Sequence, residues 1–81
     1  MLNNKNNTQL EIKNGEINYK LLASKILNSI AGDTITIETQ KNNYSNIKRG
    51  LKSRKLLCGV HYSLRFDKKD DKPLFIITIL N

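Results

Sequence analysis

The sequence predicts an α+β fold of two layers, βαβαββ, with a four-stranded mixed sheet of order 1-2-4-3 and both helices on one face. Three observations predict it. Apolar spacing switches between a period of two and a helical period twice along the chain. Turn-forming Asn14-Gly15, Gly32 and Gly59 fall between the periodic segments. The closing stretch, Leu74 to Leu80, is apolar on both of its faces, which places it in the middle of the sheet.

Residues Met1 to Asn7 are polar, rich in Asn, and read as a flexible tail ahead of one small domain covering Thr8 to Asn81. Thr8 to Lys13 alternates, with Leu10 and Ile12 on one face, and forms the first strand. Asn18 to Ala31 is an amphipathic helix in which Tyr19, Leu22, Ala23, Ile26, Leu27 and Ile30 share a stripe. Asn18 is its N-cap and Gly32 its left-handed terminator. Asp33 to Thr39 is the second strand, with Ile35 and Ile37 inward.

A second helix runs from Asn42-Asn43 to about Leu57, with Tyr44, Ile47, Leu51 and Cys58 facing the core and Gly59 ending it. Gly50 in its middle costs about 1 kcal/mol against Ala, so it marks close packing or a local break. Val60 to Phe66 alternates: Val60, Tyr62, Leu64 and Phe66 point one way, and His61, Ser63 and Arg65 the other. Asp67 to Pro73 is a charged loop, and the last strand returns antiparallel to its predecessor. This arrangement is similar in topology to the C-terminal domain of bacterial translation initiation factor three and to the Alba-type chromatin proteins. That likeness implies an affinity for nucleic acid by fold analogy and carries over no functional residue.

Charge gives the strongest functional signal. Of 14 Lys and Arg, seven lie between Thr39 and Phe66, where no Asp or Glu occurs; the remainder balances seven Lys against seven acids. A neutral body with one basic segment is the footprint of a surface that meets phosphates or an acidic partner. On a helical wheel Ser45, Lys48, Arg49, Lys52 and Lys55 form one continuous lateral face, with Arg54 on the other flank. Lys41 precedes this helix and Arg65 lies on the following strand. Together these eight residues are the expected contacts to backbone phosphates or to an acidic protein surface. His61 and Ser63, beside Arg65, are a secondary candidate surface. Like charges at i,i+4, such as Lys48 with Lys52, weaken a helix, whereas a purely structural helix more often interleaves Glu.

Other chemistry finds little support. A chain of 81 residues buries about 60–65% of its unfolded surface, which leaves little room for a deep catalytic pocket. One Cys and one His fall short of a disulfide or a zinc site. The Asp67–Lys72 loop interleaves Lys with its carboxylates and lacks the Gly and Glu of a calcium loop. No phosphate-cradling glycine loop or serine elbow is present. The expectation is therefore a non-enzyme without metal or cofactor, in a reducing cytoplasm, with no signal peptide and no membrane span.

Eleven Asn, eleven Lys and ten Ile, all with A/T-rich codons, point to a genome such as that of a phage, a mobile element or a low-GC bacterium. The functional reading is a small basic nucleic-acid-binding protein; its rival is an interaction module that docks the basic helix on an acidic host protein. A third expectation concerns the open sheet face. One set of last-strand residues, either Phe75, Ile77 and Ile79 or Leu74, Ile76 and Leu80, must be left wet. With Ile77 taken as open, that face pairs two copies or meets a partner.

Overall fold

The computed structural model describes residues 6–80 and contains the expected two-layer α+β fold. Its elements are β1 (Asn7–Leu10), α1 (Tyr19–Leu27), β2 (Thr34–Ile37), a 3-10 turn (Lys41–Asn43), α2 (Tyr44–Lys52), β3 (Tyr62–Lys69) and β4 (Lys72–Ile79). The sheet order is β1-β2-β4-β3, with β1 parallel to β2 and the other two pairings antiparallel. The doubly apolar segment is thus central. The tail expected at residues 1–7 lies outside the described residues except for Asn6 and Asn7, and Asn7 already pairs with Thr34.

Period-two alternation decides which side chains meet the helices. Leu10, Ile35, Ile37, Phe75, Ile77, Ile79 and Tyr62 form the buried floor, and Leu22, Ala23 and Ile26 of α1 with Ile47 and Leu51 of α2 pack onto it. Ile77 is fully buried, which corrects the expectation that it faces outward. The open face instead runs Asn7-Thr34-Thr78-Ser63 in one cross-strand row and Gln9-Thr36-Ile76-Arg65 in the next. Of the last strand's other apolar set, Leu74 is 7% exposed and Ile76 half-buried, and only Leu80 just beyond it is well exposed. Most of the open face is amide and hydroxyl.

Several boundaries differ from expectation, each for a local reason. β1 stops at Leu10, because Asn14 and Gly15 both adopt positive φ and reverse the chain through a Lys13–Glu16 bridge. Helix α1 ends at Leu27 rather than Ala31. The Asp33 carboxylate takes the Ile30 N–H at 3.0 Å, drawing that amide out of the helical ladder, and Leu27 and Ile30 are left 71% and 64% exposed. The other Asp33 oxygen accepts the Asn6 N–H at 3.0 Å, so one side chain ties the end of α1 to the start of the sheet. These two backbone hydrogen bonds hold the Asp33 carboxyl below its ordinary pKa, against the smaller opposing effect of its burial. Asn18 caps α1 as expected, its Oδ1 accepting the Leu21 N–H at 3.0 Å.

Helix α2 stops at Lys52, five residues short of Leu57. Lys55 adopts φ +66°, Leu56 N–H reaches Leu51 C=O at 3.0 Å and Lys55 N–H reaches Lys52 C=O at 2.9 Å. That bond pair is a Schellman ending, with Leu56 buried behind it. The expected terminator, Gly59, has φ +88° but serves the turn into β3. β3 accordingly starts at Tyr62, and Val60 is exposed rather than inward. The hairpin is tighter than the expected seven-residue loop: strands reach Lys69 and Lys72, and Asp70-Asp71, both with positive φ, make the turn.

Candidate nucleic-acid interface

Helix α2 is amphipathic in the strictest sense available to nine residues. Ile47 and Leu51 are fully buried, and Ser45, Lys48, Arg49 and Lys52 are exposed on the outer side. Gly50 lets the helix approach α1: a Cβ there would lie 2.6 Å from Cδ1 of Tyr19. Of the two readings of this glycine, close packing and a local break, the first holds. Burial raises the Tyr19 phenol above its usual pKa, and Arg49 nearby partly offsets the rise.

The short helix changes how the expected residues are grouped. Lys55 and Arg54 lie in the Schellman turn, not on the helix, and the Arg54 guanidinium donates to the Gly50 carbonyl at 3.2 Å. Lys41 sits in the 3-10 turn with its Nζ 5.9 Å from the centroid of the Phe66 ring. Lys48 places its Nζ 5.2 Å from the centroid of the Tyr44 ring. Tyr44 was expected in the core; it rests on Phe75, ring centroids 6.0 Å apart, and remains 38% exposed. Lys41 and Lys48 are thus each held beside an aromatic ring, an arrangement that fixes long side chains while leaving their charge in water.

Arg65 does not join this surface. It pairs across from Ile76 on the open side of the sheet, with Ser63 two residues before it, so the sheet separates both from α2. His61 lies in the turn before β3, where its Nδ1 accepts the Leu57 N–H at 2.9 Å. That bond leaves Nε2 as the proton-bearing nitrogen of the neutral ring and gives His61 a structural task, shaping the 57–61 turn.

That turn creates what the sequence did not reveal. Leu57, Cys58 and Val60, which the sequence pattern assigns to helix and strand, emerge exposed beside α2. With Lys48, Arg49 and Lys52 they line a groove of about 510 Å³. Its lining combines apolar Leu57 and Val60 and the Cys58 thiol with three cations. The thiol of Cys58, expected in the core, is exposed here because the Schellman turn redirects the chain before it can complete another helical turn. Beneath lies Tyr62, fully buried, its hydroxyl without a hydrogen-bond partner among the described residues. Burial above all, with smaller contributions from Cys58 and Tyr44, pushes its phenol up to about 12.

Comparison with protein-family models, with curated proteins and with solved structures finds no match for this chain. The topological likeness drawn from the element order therefore rests on that order alone. Among the described residues no helix is long and apolar enough to cross a membrane.

Proposed function

We propose that this protein binds nucleic acid through backbone phosphates, using Lys48, Arg49 and Lys52 of α2 with Lys41 and Lys55 at its two ends. The observation that carries the reading is the exposure of Lys48, Arg49 and Lys52 on one helix, in a segment with no Asp or Glu between Glu38 and Asp67. Several cations within one or two helical turns match the spacing of successive phosphates, and neutralising each releases condensed counterions. Ser45, exposed one helical turn before Arg49, adds a hydroxyl donor. Arg65, His61 and Ser63 fall outside this interface.

Replacing Lys48, Arg49 and Lys52 together with Ala tests it. The triple variant should keep its circular dichroism spectrum and lose most of its affinity for a labelled oligonucleotide. Log K against log salt should have a slope of about −2 to −4 for the wild type and a distinctly shallower one for the variant. Unchanged binding in the variant sinks the reading. A second reading, docking of the same cations on an acidic protein, is favoured by the exposed Leu57 and Val60, since a protein interface wants an apolar anchor. A partner retained from lysate after nuclease treatment, together with no oligonucleotide binding, would select it.

A further inference from the structure

We infer that the nucleic acid is single-stranded, with unpaired bases lying on the apolar lining of the α2 groove while its phosphates meet the cations. The inference rests on the phosphate-binding reading above and adds the class of ligand. Two features carry it. The groove between α2 and the 57–60 turn is concave and sets Leu57 and Val60, 41% and 50% exposed, beside Lys48, Arg49 and Lys52. Lys48 also belongs to a second apolar surface, because its Nζ lies over the exposed ring of Tyr44. One cation is therefore flanked by an aromatic face on one side and an aliphatic lining on the other.

A duplex has no use for this arrangement. Its bases are stacked inside, its outer surface is phosphate and sugar, and a helix that reads it must project into a groove rather than border one. Burying Leu57 and Val60 against a phosphate backbone would desolvate charge with nothing in return. A single strand presents both chemistries at once, a charged backbone and unpaired bases with apolar faces. Proteins that hold such strands combine a cationic track with aromatic side chains on which bases stack, a part that Tyr44 can play here beside the aliphatic Leu57 and Val60. The same surface contains a reporter: Cys58 is the only cysteine of the chain and is exposed within the groove.

The experiment compares a labelled 15-nucleotide poly(dT) strand with a mixed-sequence duplex of equal length, by fluorescence anisotropy at one salt concentration. The strand should bind at least tenfold more tightly. L57S/V60S should weaken strand binding at least fivefold without changing its salt slope, because the cations remain. On the unmodified protein, saturating poly(dT) should slow alkylation of Cys58 by iodoacetamide at least fivefold, a readout that does not depend on any variant folding. Duplex binding equal to or tighter than strand binding overturns the inference and leaves the phosphate reading standing. So does strand binding that leaves Cys58 as reactive as before. Binding of neither ligand overturns both.

Discussion

The two helices have nine residues each and lie on the same sheet, yet their outer surfaces have almost nothing in common. Helix α1 has a side-chain N-cap in Asn18 and two lysines, Lys20 and Lys25, and its far end is fixed by the Asp33 carboxylate. Helix α2 has no side-chain hydrogen bond at its N-cap. It also carries a glycine at its centre, the repelling pair Lys48 and Lys52, and a lysine at the left-handed position of its ending. Every one of these choices weakens a helix by a few tenths to about 1 kcal/mol. Gly50 is explained by Tyr19. The charges are not explained by folding, and that asymmetry separates the scaffold helix from the helix proposed to bind.

The largest expected effect lies in the floor the helices share. Ile77→Lys should cost more than about 4 kcal/mol and abolish the cooperative thermal transition, because it places an unpaired charge under both helices. Ile76→Lys, one residue away on the open face, should cost about 1 kcal/mol or less. Equal losses at the two sites would mean that the open face is covered as well.

Gly50→Ala comes next. Helix propensity alone predicts a gain of about 1 kcal/mol. Contact with the Tyr19 ring predicts a loss of about 1–3 kcal/mol in urea titration, since the helices must separate. A stabilised variant would show that α1 and α2 are less tightly joined than the structure has them.

Lys55→Gly should raise stability by about 1 kcal/mol, because φ +66° suits glycine, while weakening oligonucleotide binding and flattening its salt dependence. Stability gained with binding unchanged would remove Lys55 from the interface. The neighbouring neutralisation of Lys48, Arg49 and Lys52 should leave the melting temperature the same or slightly higher.

The smallest effects follow pH and distinguish the two helix ends. Asp33 has its pKa lowered by the Asn6 and Ile30 amides, so its contribution is present above its unfolded value near 3.8 and is lost as pH falls through the lower folded value. In that acidic range the Ile30 amide should lose exchange protection, while Leu56, held by backbone alone, keeps it. Asp33→Asn should remove this difference. At the alkaline end the sign reverses. Tyr62 holds its proton up to about 12 against an ordinary 10.0, so its stabilising contribution is complete below pH 10 and declines as pH rises towards 12.

By itself the sequence determined the layers, the strand order and the basic character of α2. Those features follow from periodicity and from charge, which are local. Period two around Ile35 and Ile37 and in Tyr62–Phe66, the central place of Leu74–Leu80, and the stripe around Leu22 and Ile26 all survive into the fold. Asn18 was legible for the same reason, whereas Gly50 left two meanings open, close packing or a local break.

Tertiary structure decided where the elements stop and therefore which surfaces exist. Both helices were expected to run on because Leu27 and Ile30 in the first, and Cys58 in the second, continue the apolar spacing. Wheel positions cannot show that Asp33 will capture the Ile30 amide from the next strand, or that Lys55 will turn left-handed so that Leu56 closes the core. Nor does alternation say which parity of β4 meets the helices, since both parities are apolar; pairing with Ile35, Ile37 and Tyr62 settles it for Phe75, Ile77 and Ile79. The groove beside α2 exists only because those endings place Leu57, Cys58 and Val60 outside helix and strand. Residue type sets what each side chain prefers, and the competition among distant hydrogen-bonding and packing partners sets where it is placed.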